Sequence, residues 1–111
     1  MLPKSRRLNL ARATWRYKAA DFSLTTEYFK FLAKRKKGTS QIGFLIAGKL
    51  GKAVLRNRSR RLLTETVQQS LEAFPDNFDF IFIAYPRIID ADYEKIRTSL
   101  DQVLPKISLL R

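Results

Sequence analysis

A chain of 111 residues, 45% of them hydrophobic, is sized for one domain with a modest core, and the absence of cysteine excludes disulfides and thiolate metal sites. The formal net charge of +12 is lopsided: residues 1–61 hold 17 Lys/Arg against 2 Asp/Glu, whereas residues 62–111 hold 5 against 8. A half this basic repels itself until a polyanion neutralises it, and its cations are not laid along a strongly apolar amphipathic helix, so nucleic acid is the expected partner and a membrane is not.

The start, Met1-Leu2-Pro3-Lys4-Ser5-Arg6-Arg7, has no apolar stretch behind its charge, so a secretory signal is not expected. No later run approaches the ~18 apolar residues of a membrane span. Residues 1–20 are basic and aromatic, with Arg6, Arg7, Arg12, Trp15, Arg16, Tyr17 and Lys18, and residues 10–18 read as a short helix. Alternation predicts a strand over 27–33, a charged turn over 34–40 around Gly38, and a second strand over 41–47 with Ile42, Phe44 and Ile46 on one face. The short spacing makes these two strands an antiparallel hairpin.

Gly48 and Gly51 punctuate the end of that strand, and a long helix follows over 52–73. Its spacing puts Leu55, Ser59, Leu62, Leu63, Thr66, Val67 and Phe74 on one side and Asn57, Arg58, Arg61, Thr64, Glu65 and Gln68 on the other. Leu55, Leu62 and Leu63 are then its anchors in the core. Pro75 closes the segment, and residues 78–85 are apolar enough for a strand buried on both faces. A final helix over 90–104 shows Ala91, Ile96, Leu100, Val103 and Leu104 as its stripe, with Pro105 ending or kinking it. The order α-β-β-α-β-α makes residues 1–111 a single α+β domain with helices against one small sheet.

The chain contains no histidine, so it lacks the commonest general base and metal ligand, and no Gly-rich phosphate loop is present. Its nearest carboxylate cluster, Asp90, Asp92 and Glu94, stands at a helix start, where capping is the expected role. A self-sufficient catalyst is therefore not expected, and no catalytic or metal-ligating residue is assigned. Residues 49–61 differ in kind, because Lys52, Arg56 and Arg60 form one i, i+4 ladder and Asn57 with Arg61 a second. Guanidinium groups fork onto phosphate oxygens, and no acidic residue interrupts the run before Glu65. Among the aromatics of the basic half, Trp15, Tyr17, Phe22, Phe29 and Phe31 include core residues, with one or two expected on an exposed cleft where they could stack on unpaired bases.

These residues carry a resemblance. The run Gln41-Ile42-Gly43-Phe44-Leu45-Ile46-Ala47-Gly48-Lys49, then Gly51 to Leu63 with Arg56-Asn57-Arg58 and Arg60-Arg61, resembles the bacterial ribonuclease P protein component. The opening Met1-Leu2-Pro3-Lys4 with Arg7-Leu8, Phe78-Asp79 with Ile83-Ala84, and Tyr93-Glu94 with Ile96-Arg97 and Leu100 are similar as well. The resemblance implies an αβββαβ-type domain with a left-handed crossover, an exception to the usual handedness. It implies a non-catalytic, cytoplasmic protein subunit bound to a catalytic ribonuclease P RNA, which removes the 5′ leader of precursor tRNA with magnesium held mainly by the RNA. Lys49, Lys52, Arg56, Asn57, Arg58, Arg60 and Arg61 would then contact the catalytic RNA. Trp15, Tyr17, Phe22, Phe29 and Phe31 would be the candidates for the leader, which the family binds in a cleft of first helix and sheet. Gly48, Thr64 and Tyr85 depart from the family pattern, each standing where a basic residue is frequent, and the first helix looks shortened. The residues alone leave open a structural RNA-binding protein such as a ribosomal protein, a magnesium nuclease using the carboxylates, and a DNA-binding module.

Overall fold

The structure, a computed structural model, describes residues 2–10 and 20–110. The first helix, expected over residues 10–18, lies outside the described residues from residue 11 on, and so do Trp15 and Tyr17. Four strands, β1 (Phe22–Thr25), β2 (Phe29–Arg35), β3 (Gln41–Leu45) and β4 (Phe78–Ala84), form one sheet in the order β1-β2-β4-β3. Among the described residues two helices, α1 (Ala53–Gln69) and α2 (Tyr93–Ser108), join the sheet in an α+β domain, as the sequence implies.

The sheet corrects the expected hairpin. β2 and β3 do not pair, because β4 lies between them, antiparallel to β2 and parallel to β3. The reason is visible in β4 itself: Phe78, Phe80, Phe82 and Ala84 are buried on one face and Ile81 on the other, which suits a central position. The 34–40 segment is therefore a bridge across the start of β4. Asn77 fastens it, accepting from Lys36 N at 2.9 Å, donating its own N–H to Gly38 O at 2.8 Å, and accepting from Gly38 N through Oδ1 at 3.1 Å. Asn77 sits at φ 71° and Gly38 at φ 105°, left-handed conformations that Asn and Gly tolerate best. A further strand, β1, precedes the predicted one. Thr26 separates the two, its hydroxyl accepting from Tyr28 N and Phe29 N at 3.2 Å each in a side-chain turn.

On the helix-facing side, Phe29, Phe31, Ile42, Phe80 and Phe82 meet Leu63 and Val67 of α1 and Ile96, Leu100, Val103 and Ile107 of α2 in one cluster. Ring centroids of Phe31 and Phe82 lie 5.1 Å apart and those of Phe74 and Phe80 5.3 Å apart, within the range of favourable aromatic pairing. Helix boundaries shift from expectation for local reasons. α1 stops at Gln69, because Ser70 leaves helical geometry and Arg97 donates to Thr66 O at 3.2 Å and Ser70 Oγ at 2.8 Å, capping the end. α2 starts at Tyr93 with Asp92 as its cap, accepting from Lys95 N at 2.9 Å, while Pro86–Asp90 form a 3-10 turn. Pro105 does not end α2. The helix runs on to Ser108 because Ile107 is fully buried, and the residue whose carbonyl loses its partner, Asp101, is exposed.

Candidate nucleic-acid interface

β3 ends at Leu45, and a 3-10 turn, Gly48–Leu50, leads to Gly51 at φ 149°, ψ −169°, a conformation that side chains disfavour. The chain then enters α1 through Lys52, an N-cap that makes no side-chain capping bond. Rotation of α1 is set by its buried stripe, Ser59, Leu63, Thr66 and Val67, with Ser59 Oγ donating to Ile88 O at 3.4 Å. With that stripe inward, Asn57, Arg60 and Arg61 are exposed on α1, and Lys49 and Lys52 are exposed in the approach to it. Five of the seven residues expected to bind RNA thus lie open along one short segment.

The other two, Arg56 and Arg58, are half-buried. Arg56 Nε donates to Gly51 O at 3.1 Å, folding the side chain back over the turn that starts the helix. Its Nη1 lies 3.8 Å from where a Cβ at residue 48 would stand, an ordinary van der Waals separation. Arg58, expected on the outward face, reaches instead toward the segment before α2 and donates through Nη1 to Ala91 O at 3.3 Å. A guanidinium has five N–H donors, so each of these arginines keeps donors for a phosphate after its structural bond. Leu55 corrects the expected anchor set. It is 37% exposed, because the first turn of α1 extends beyond the buried stripe, which begins at Ser59, whereas Leu63 is fully buried.

The electrostatics are one-signed. The first turn of α1 has no acidic residue. Among the described residues the ion pairs are Lys34–Asp21, Lys36–Asp79, Arg87–Glu27 and Arg97–Asp101, none of them within residues 49–61. Arg61 and Glu65 stand one turn apart without pairing. Such a surface holds uncompensated positive charge in the free protein and matches a phosphate backbone.

Of the five aromatic candidates, Trp15 and Tyr17 lie outside the described residues, and the structure places the other three. Phe29 and Phe31 have no exposed surface and belong to the core, since they alternate onto the helix-facing side of β2. Phe22 is half-buried on that same side, tilted against Phe78 at 6.1 Å, with the Arg35 guanidinium 5.2 Å above its ring. None of these three rings is presented to the opposite face of the sheet. That face carries Lys30, Lys34, Gln41 and Asp79 around the buried Leu32 and Ile81.

One feature of the site escaped sequence reading. The opening segment runs beside β3, with Arg7 bridged to Ile42 and Leu8 N donating to Ile42 O at 3.0 Å. Arg6 holds it there, donating to Ser40 O at 2.7 Å and to Ser40 Oγ at 2.8 Å. Gly43 lets Leu8 and Leu10 lie close, since a Cβ on it would stand 2.8 Å from Leu10 Cδ2. A groove results, with Leu8, Leu10 and Phe44 on one wall and Asn57, Arg60 and Arg61 on the other. The Pro3-Lys4 and Arg7-Leu8 pattern was the available signal, but alternation cannot reveal a segment that pairs through a single bridge.

A protein-family model described as Ribonuclease P matches residues 2–108. The ribonuclease P protein component of Alkaliphilus oremlandii is 34% identical over 71 residues, a match covering 64% of this chain and 62% of that relative. That of Fusobacterium nucleatum is 31% identical over 98 residues, covering 80% and 88%. Among solved structures, the RNase P protein from Thermotoga maritima superposes with a TM-score of 0.79 at 28% identity, covering 91% of this chain and 96% of that one.

Proposed function

The chain belongs to the ribonuclease P protein family, and from that premise we propose that it is the protein subunit of a bacterial ribonuclease P. In this role it binds the catalytic RNA through α1 and the precursor tRNA's 5′ leader elsewhere, promoting removal of the leader. The observation that carries the reading is the acid-free cationic segment from Lys49 to Arg61, held open by the buried stripe of α1. Lys49, Lys52, Asn57, Arg60 and Arg61 offer donors directly to phosphates, and Arg56 and Arg58 offer the donors their backbone bonds leave over.

The leader is assigned to the sheet face opposite the helices, where Lys30 supplies a cation beside Lys34, which is paired with Asp21. By neutralising phosphates on both RNAs, the protein lets two polyanions approach. Among the described residues no group of three carboxylates converges as a metal site, and Asp92 is engaged as a helix cap. The magnesium of the reaction is assigned mainly to the RNA, as the family role implies. A cytoplasmic location follows from this role, since both RNA partners reside there in bacteria.

Identifying the RNA that co-purifies with the chain from its own cells tests the reading. Recovery of one structured RNA of a few hundred nucleotides with precursor tRNA is expected. Recovery of ribosomal RNA in ribosomal stoichiometry contradicts it and makes the chain a structural RNA-binding protein.

A further inference from the structure

Two apolar side chains stand among the cations of α1 with surface left open to solvent. Val54 is 77% exposed and Leu55 37%. They lie in the first turn of the helix, between Lys52 and Arg56. A third apolar group adjoins them: a Cβ at Gly51 would stand 3.8 Å from Ile89 Cδ1 and 3.9 Å from Leu55 Cδ1. Ile89 and Leu55 thus both flank the bare backbone of Gly51, and Val54, the neighbour of Leu55 in the first turn, stands open to solvent. The result is a small aliphatic platform at the end of the helix where the positive dipole and the free N–H groups also lie.

We propose that this platform packs against the face of an unstacked nucleotide in the RNA partner, so that α1 senses RNA conformation as well as RNA charge. The proposal rests on the RNA-binding reading above. A nucleotide supplies both halves of the match in one unit, a phosphate for Lys52 or Arg56 and a flat, weakly polar base or ribose face for Val54 and Leu55. Asp90 follows Ile89 and disfavours a phosphate on that side, which places the phosphate toward Lys52. A second copy of this chain is a poor occupant, because it would bring Lys49, Lys52 and Arg56 against their own like charges. A continuous duplex is also a poor occupant, because its base faces are hidden in the stack and its backbone offers phosphates alone.

The test compares the full chain with Val54→Thr, which keeps the branched shape and exchanges a methyl for a hydroxyl, and with Val54→Ala, which favours helix. Binding is measured at one salt concentration to a bacterial ribonuclease P RNA transcript and to a blunt RNA duplex, with thermal melting run on each variant. Loss of one buried methyl predicts about fourfold weaker transcript binding for Val54→Thr, a larger loss for Val54→Ala, no fall in melting temperature for either, and no change on the duplex. The slope of affinity against salt stays as in the parent chain, because no charge is removed. Unchanged transcript binding in both variants, or an equal loss on the duplex, overturns the platform. Failure of the parent chain to bind the transcript overturns the underlying RNA-subunit reading and the platform with it.

Discussion

At the residue scale, the arginines of the interface divide by what they touch inside the protein. Arg60 and Arg61 are exposed and make no ion pair among the described residues, whereas Arg58 donates to Ala91 O. Replacing Arg60 or Arg61 with Ala should flatten the log affinity against log salt plot by about 0.7 to 0.9 each, with little effect on folding. Arg58→Ala should instead lower unfolding free energy by about 1 kcal/mol in a urea titration, through the lost bond to Ala91 O. A salt slope that falls in full for Arg58→Ala with no loss of stability would contradict this division. Helical spacing in the sequence places Asn57 and Arg61 outward, as the structure does, because short-range periodicity determines which side of α1 is wet. It places Arg58 outward as well, because spacing does not register a long side chain turning back to a carbonyl 33 residues away. For Phe29 and Phe31, composition suggested base stacking while alternation along β2 put them in the core.

At the element scale, β4 and the segment bridging its start decide the architecture. The apolar content of β4 is readable as a strand buried on both faces, and it is so buried. What local pattern hides is that such a strand separates β2 from β3, since a seven-residue polar stretch with one Gly looks like a hairpin turn whichever strand lies beneath it. The information is at Asn77, far along the chain, which bonds both sides of that stretch. Asn77→Ala should cost about 1–2 kcal/mol, from the left-handed backbone and the lost bond to Gly38 N, whereas Asn77→Gly should cost less by sparing the backbone strain. Chemical denaturation of the two variants checks this, and equal costs would remove the backbone from the explanation. Gly51 plays the corresponding part at the start of α1, setting the angle at which the cationic turn is presented.

At the scale of the molecule, the fold concentrates its uncompensated charge. The described ion pairs draw on Asp21, Glu27, Asp79 and Asp101 and leave residues 49–61 unneutralised. A chain with net charge +12 arranged in this way gains stability from whatever anion it binds. Its melting temperature should therefore rise on addition of structured RNA and rise far less in Arg60→Ala/Arg61→Ala, as calorimetry or dye melting would report. The charge asymmetry and the Arg56-Asn57-Arg58 segment were legible in sequence because both are local. The groove between the opening segment and α1 was not, because residues 34 or more positions apart build it through Arg6 and Ser40. The central claim, that this chain serves ribonuclease P, is tested most directly by reconstitution with a bacterial ribonuclease P RNA at limiting magnesium. Adding the chain should accelerate release of the 5′ leader from precursor tRNA, and the double arginine variant should do so poorly. Leader removal no faster with the chain than with the RNA alone would contradict that claim.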